Sequence, residues 1–421
     1  MLEKLALKDV GPAPQLAFDF APRLNLLTGD NGLGKTFILD VAWWVLTRSW
    51  PDAPAMPQRG ASVEPTIDFK FSGKSSSIEY TSTYDFPSQS WTRRGGRPAN
   101  PGMVLYARID GSFSVWDPAR NYWRQAPSLG IDEPDRPVAY QFAPQDVWNG
   151  LEPQGKIYCN GLIRDWATWQ GRNGEAFHQL LLALQTLSPS KDEPLVPGEL
   201  TRISIEDVRD MPTIKAPYGQ QVAVIHASAG VKRIISLAYL LVWTWQEHVQ
   251  ASRLLNQGTT NQIIFLIDEI EAHLHPRWQR TILRSILDVM AALTGQQVDV
   301  QLLTVTHSPL LLASVEPLFD EKKDALWNLD LIGQQVELRR EAWRRRGDAN
   351  AWLTSDVFDL AEPRSLEAEQ AIQSAEALMN RKDVQPAEFL RVQRDLRSSL
   401  PDVDSFWLRW GFWAQESGFN K

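Results

Sequence analysis

The stretch GDNGLGKT, residues 29–36, decides how the rest of this chain is read. It fits the pattern G-x-x-x-x-G-K-[ST], in which glycines let a tight loop turn its backbone N–H groups onto phosphate. Lys35 would neutralise the β- and γ-phosphates, and the Thr36 hydroxyl would ligate Mg²⁺. The context agrees with the motif. Leu24 to Thr28 is a short β-type run before the loop, and Phe37 to Leu46 is apolar enough for a buried helix after it. The N-terminus of that helix would face the anion. The candidate phosphate-binding set at this point is Asn31, Gly32, Gly34, Lys35, Thr36 and Phe37.

Downstream, FLIDE at 265–269 is an apolar run that ends in two acids. Ile263 to Ile267 suits a strand buried on both faces. Two adjacent charges at the end of such a strand are costly unless a cation compensates them. Mg²⁺ is the expected cation, with Asp268 as its carboxylate and Thr36 as its hydroxyl. Glu269 is then placed to orient and deprotonate an attacking water. A second strand, Val298 to Thr306, runs directly into His307. The C-terminal ends of parallel strands collect ligands, which makes His307 a γ-phosphate sensor and, with Glu269, a catalytic candidate. His273 and His275 are two positions apart and do not share a helix face, so a structural or dimer-contact role is expected of them rather than zinc.

With 421 residues the chain predicts two or three lobes, at roughly 150 residues per domain. The 43% apolar fraction excludes global disorder. The 51 acidic residues outnumber the 43 basic ones, for a net charge of −8, which excludes a uniformly basic nucleic-acid coat. No run of about 18 uncharged apolar residues occurs, so neither a spanning helix nor an apolar leader is expected. The single cysteine, Cys159, fits a reducing cytoplasm. Residues 1–50 read as the N-terminal part of an α/β lobe, and 51–135, rich in Pro, Gly, Ser and aromatics, as an antiparallel β insertion. Residues 136–330 carry the remaining motifs of that lobe. A helix over Pro276 to Leu293 is expected there. Residues 331–421 read as a small helical region.

Taken in order, the phosphate loop, HASAGVKR at 226–233, the DE strand and the histidine strand resemble the ABC/SMC class of P-loop ATPases. DEIEAHLHPRWQ, from 268, is similar to a segment of soluble defence and repair members. The resemblance implies that Ser228 and Gly230 cap the γ-phosphate of ATP held by a second protomer. It also implies a glutamine near Mg²⁺ and the attacking water, for which Gln145 is the candidate and Gln141 the alternative. VWNGL at 147–151, CNGLIRDW at 159–166 and EDVRDMPTI at 206–214 extend the likeness to the ATPase subunit of Septu-type antiphage systems, which also occurs with retrons. That implies a homodimer or higher homo-oligomer, an HNH-type partner nuclease and, in the retron version, a reverse transcriptase and its nucleic acid.

A stand-alone DNA-acting ATPase or nuclease is the alternative. No heptads separate the loop from HASAGVKR, as a repair ATPase would require. The one nearby D-x-D, Asp402 to Asp404, follows Pro401 in a helical context, which argues against an intrinsic nuclease site. Two accounts stand for Arg339, Arg340, Arg344, Arg345 and Arg346: a solvated face, or a contact with nucleic acid or nuclease. Arg93, Arg94 and Arg97 form a weaker cluster. Of the 18 tryptophans, Trp43, Trp44, Trp243, Trp245 and Trp278 fall on elements expected to pack the ATPase core. Trp407, Trp410 and Trp413, with Phe406 and Phe412, crowd the tail, where self-packing and partner docking are both open.

Overall fold

Ile263 to Ile267 are fully buried, and the strand they form runs through the largest sheet of the protein. The computed structural model describes residues 1–60, 64–73, 77–93, 99–122, 137–295, 298–381 and 383–419. In chain order the strands are β1 (Leu2–Lys8), β2 (Gln15–Asp19), β3 (Leu24–Gly29), β4 (Thr66–Ser72), β5 (Ser77–Asp85), β6 (Ser90–Trp91), β7 (Met103–Ala107) and β8 (Phe113–Trp116). They continue with β9 (Tyr140–Phe142), β10 (Val196–Pro197), β11 (Thr213–Lys215), β12 (Gln221–Ala223), β13 (Gln262–Asp268), β14 (Asp299–Val305), β15 (Asp324–Ile332) and β16 (Gln335–Glu341). The helices are α1 (Lys35–Thr47), α2 (Pro144–Asn149), α3 (Leu162–Arg172), α4 (Glu175–Thr186), α5 (Ala229–Leu254) and α6 (Pro276–Gln279). They end with α7 (Ile282–Thr294), α8 (Pro309–Val315), α9 (Ala349–Leu353), α10 (Leu366–Met379), α11 (Pro386–Ser399) and α12 (Phe406–Glu416).

Among the described residues the main sheet has eight strands in the order β16-β15-β3-β14-β13-β7-β8-β9. Its interior strands, β15 through β7, are parallel, and antiparallel strands finish both edges. Parallel strands need crossover connections, and their helices bury both faces. This is the α/β architecture expected from the motifs. A second sheet, β2-β1-β4-β5-β6, is antiparallel. One continuous apolar core joins the two, with Ile38, Leu39 and Trp43 of α1 meeting Leu5 and Leu7 of β1 and Leu266 and Leu303 of the main sheet. The buried Gln301 side chain ties them further, accepting from Leu2 N–H at 2.8 Å and donating to the carbonyls of Leu2 and Ala21.

Several boundaries differ from those expected. The β insertion over 51–135 is shared between sheets: β4 to β6 pair with β1, while β7 lies parallel to β13 inside the main sheet. Strand β1 was hidden by its charged Glu3, Lys4 and Lys8, although Leu2, Leu5 and Leu7 are fully buried. The helix expected over Pro276 to Leu293 is two, α6 and α7, interrupted at Thr281 (φ −122°, ψ −23°). The boundary expected at 331 falls inside the β15–β16 hairpin, and the chain divides instead into units of Met1–Gly347 and Asp348–Lys421.

Within the second unit, α10, α11 and α12 surround their own core of Ala371, Ile372, Ala375, Phe389, Val392, Leu396, Phe406, Trp410 and Ala414. Trp410 is 2% exposed and stacks on Phe389 at 5.4 Å, so self-packing accounts for it. Trp407 and Trp413 are half-buried against the same core, whereas Phe412 is 65% exposed. Among the tryptophans expected in the ATPase core, Trp43, Trp44 and Trp243 are buried, while Trp245 and Trp278 are half-buried. Among the described residues no helix is long and apolar enough to cross a membrane.

Candidate nucleotide-binding site

The phosphate loop connects β3 to α1, and its glycines are required for separate reasons. Gly29 has φ +127°, and a Cβ there would lie 2.1 Å from the carbonyl oxygen of Leu329 on β15. Gly34 has φ +88° and caps α1, where a Cβ would press on Pro12 at 2.7 Å. With no acidic residue in the first turn of α1, its N-terminal dipole is left for an anion. Lys35 is buried and donates from Nζ to the carbonyls of Gly29 at 2.9 Å and Asp30 at 2.6 Å. Burial lowers its pKa, opposed by the charges of Glu269, Asp30 and Asp268. Asn31 and Gly32 are exposed on the loop, and the Phe37 ring packs against Gly11.

Asp268 ends β13 and is 1% exposed. Its Oδ2 accepts from the Thr36 hydroxyl at 3.0 Å, while its Oδ1 is buried and has no hydrogen-bond partner among the described residues. Burial pushes this carboxyl up to about 6, against the Thr36 hydrogen bond and with help from the charges of Glu269 and Asp40. A buried carboxylate oxygen left open beside a hydroxyl suits a hard cation, so the pair Thr36 and Asp268 fits Mg²⁺.

Glu269 sits in the left-handed region at φ +46°, uncommon for a residue with a side chain. Its N–H donates to Val305 O at 3.2 Å, which couples the turn after β13 to β14. At the end of β14, His307 Nε2 lies 3.4 Å from Glu269 Oε1. Burial, followed by the charge of Lys35, lowers the His307 pKa below its ordinary value, favouring the neutral ring at pH 7. Lys35, Thr36, Asp268, Glu269 and His307 are thus gathered at the C-terminal ends of three adjacent parallel strands.

Two further residues hold this cluster and were not assigned these tasks from sequence. Arg233, the last residue of HASAGVKR, donates to the carbonyls of Ile109 (2.7 Å), Glu269 (2.9 Å) and Asp268 (3.4 Å). Glu271 accepts from the Thr306 hydroxyl and from His307 N–H, both at 2.7 Å.

Ser228 is the exposed N-cap of α5, accepting from Val231 N–H at 3.4 Å. It borders a cleft of about 310 Å³ lined by Lys215, Tyr218, His226 and Trp278 among others. Gly230 is buried, and a Cβ there would lie 2.8 Å from His273 O, so this glycine allows α5 to close on the turn after β13. His273 has φ +64°, and His275 caps α6 by accepting from Arg277 N–H. Among the described residues no group of three His, Cys, Asp or Glu could hold a metal ion. Gln141 donates to Trp50 O, and Gln145 is exposed in the first turn of α2. Strand β9, just before Gln145, lies three strands beyond β13, roughly 14 Å at normal strand spacing.

The outer motifs acquire structural roles. Leu151 bridges Cys159, and a Cβ on Gly161 would lie 2.3 Å from Gly150 N. Arg209 donates to Asn149 Oδ1 at 2.7 Å, joining EDVRDMPTI to VWNGL. Cys159 Sγ meets the Tyr239 hydroxyl at 3.0 Å, and that hydroxyl donates to Asp165. Burial raises the thiol to about 12, so it is inert. In the arginine cluster, Arg339 pairs with Asp330 and Glu337, Arg340 lies over the Trp327 ring, and Arg344 and Arg345 are exposed. Asp404 is bound by Arg364. Arg94 and Arg97 lie outside the described residues.

Over 110 residues the chain is 32% identical to "Retron Vc95 probable ATPase" of Vibrio cholerae serotype O1 biovar El Tor, covering 25% of this chain and 18% of that protein. Over 144 residues it is 26% identical to "Retron Ec83 probable ATPase" of Escherichia coli, covering 33% and 22%. The chain thus matches less than a quarter of the length of these relatives. The SMC head domain from Thermotoga maritima aligns over 81% of this chain and 99% of its own, at 12% identity and a TM-score of 0.39. An Smc head domain from Pyrococcus furiosus, bound to the C-terminal domain of ScpA, aligns over 81% and 96%, at 10% identity and 0.39. Residues 24–313, which hold the phosphate loop, the DE turn and His307, match one family along their whole length, and the chain belongs to it: "AAA domain, putative AbiEii toxin, Type IV TA system".

Proposed function

We propose that this chain is the ATP-binding and ATP-hydrolysing regulatory subunit of a bacterial antiphage defence system of Septu or retron type. In this reading it closes as a homodimer or higher homo-oligomer around ATP and controls an HNH-type partner nuclease. The observation that carries the ATPase part is the convergence of Lys35, Thr36, Asp268, Glu269 and His307 on one end of β3, β13 and β14. Membership of the AAA family described above and likeness to two retron probable ATPases support the defence setting.

The chemistry follows from the residues. Loop N–H groups and the N-terminus of α1 receive the phosphates, and Lys35 exchanges its two carbonyl acceptors for phosphate oxygens. Thr36 and Asp268 would hold Mg²⁺, which would supply positive charge against the phosphate oxygens. Glu269 accepts a proton from the water whose oxygen attacks the γ-phosphorus, while the bond to the β–γ bridging oxygen breaks and ADP leaves. The neutral His307 ring can donate to a γ-phosphate oxygen. Ser228 and Gly230, with the exposed N-terminus of α5, would meet the nucleotide of a second protomer. Binding that differs between open and closed assemblies is what lets ATP bias a partner.

The test is phosphate release by purified protein with ATP and Mg²⁺, alongside light scattering of Glu269→Gln with ATP. Hydrolysis by wild type, together with an ATP-stabilised assembly in the variant, supports the reading. Unchanged hydrolysis in Glu269→Gln removes the role given to Glu269. Activation of a co-expressed HNH-type nuclease only when the chain binds ATP tests the partner.

A further inference from the structure

We infer that Glu271 is a positioning residue, which holds His307 against Glu269 by fixing the backbone that carries the histidine. This rests on the ATPase reading above and names a part of that site which neither the motifs nor the family description assigns. The geometry is specific. One carboxylate oxygen, Glu271 Oε1, receives both the Thr306 hydroxyl and His307 N–H, each at 2.7 Å. Thr306 Oγ1 in turn accepts from Ser308 N–H at 3.0 Å, and Thr306 N–H donates to Leu27 O on β3 at 3.0 Å. Residues 306 to 308 are therefore tied on one side to the phosphate-loop strand and on the other to the turn after β13.

Glu271 itself cannot drift. It is 9% exposed, and its carbonyl accepts from Leu274 N–H at 2.9 Å inside a turn in which Ala272 N–H also donates to Glu269 O. Arg233 is bound to the carbonyls of Asp268 and Glu269, and of the nearby carboxylates Glu271 acts most strongly on its charge. A solvent-facing surface acid would have no need of this arrangement. Burying a carboxylate is costly, and here its hydrogen bonds go to the peptide and hydroxyl next to one histidine. The ring of that histidine lies 3.4 Å from the proposed base. Without the Glu271 acceptor, the peptide N–H of His307 and the fully buried Thr306 hydroxyl are left to find other partners, and the ring shifts from Glu269.

The experiment compares Glu271→Ala, Glu271→Gln, His307→Ala and the double variant Glu271→Ala/His307→Ala. The Ala variant is expected to lose about tenfold in kcat for ATP with KM within about threefold, and Gln, which keeps an acceptor oxygen, to stay within about threefold of wild type. In the His307→Ala background Glu271→Ala should cost nothing more, because it acts through the histidine. A second readout does not depend on hydrolysis. In protein labelled on its histidine rings, of which there are six, the resonance lost in His307→Ala is that of His307, and Glu271→Ala should move it. Additive losses in the double variant, or a His307 resonance unmoved by Glu271→Ala, overturn the inference. A wild-type protein that hydrolyses no ATP sinks the ATPase reading instead, and the ring resonance still decides whether Glu271 places His307.

Discussion

The turn after β13 and the helices of residues 348–421 solve opposite problems. At the turn the chain buries charge: Asp268 and Glu271 each keep one carboxylate oxygen without a hydrogen-bond partner among the described residues, and Glu269 takes a left-handed backbone. In α10 to α12 it buries hydrocarbon, with Ala368, Ala371 and Ala375 leaving room for Phe389 and Trp410. The first arrangement is unfavourable until a ligand completes it, whereas the second is complete without one. Function is therefore expected to fail at the turn without loss of fold, and fold to fail in the helices without damage to the chemistry.

The sharpest break of that comparison is Glu269→Gln, which is expected to lower kcat by about 10³-fold with an unchanged thermal midpoint, read by phosphate release and calorimetry. Next is Trp410→Ala, which should destabilise the helical unit by about 3 kcal/mol. Hydrogen exchange should show lost protection in α10 to α12 and none in β3, β13 and β14. Equal loss in both would mean that the two units unfold together. A smaller effect concerns pH. Asp268, raised to about 6 by burial, holds its proton more tightly folded than unfolded. Its contribution to apoprotein stability is thus fully present below pH 4 and is lost as pH rises through 6. Mg²⁺ needs the ionised carboxylate, so its affinity should fall about tenfold from pH 7 to pH 5, and titration calorimetry on Asp268→Asn should show no such dependence. The smallest effect is Phe412→Ser, within about 0.5 kcal/mol in stability because the ring is exposed. If that variant loses a co-purifying nuclease, the helical unit has a binding task as well as a packing one.

Much of the nucleotide end was legible because its residues lie in short local patterns. The loop glycines, the apolar run before Asp268 and the strand before His307 each announce their position within about ten residues. Arg233 and Glu271 escaped because their work is done through carbonyls and a peptide N–H of other elements, which no residue type reveals. The helical boundary misplaced at 331 has a similar cause, since Asp324 to Ile332 becomes a strand only beside β3. Trp410 and Phe412 are two residues apart on one helix and were equivalent on paper; only the tertiary packing separates a core ring from an exposed one.

The position of β3 between β14 and β15 has a consequence for biosynthesis. The Thr28 hydroxyl bonds to Trp327 O across 299 residues of chain, so both neighbours of β3 are translated long after it. At about 10 residues per second the ribosome takes about half a minute to supply them. Throughout that interval the apolar LNLLT strand has neither of its sheet partners. The nucleotide site can therefore form only after β14 and β15 have been translated, and a chaperone that covers β3 during that interval should raise the yield of active protein more than one acting on the released chain.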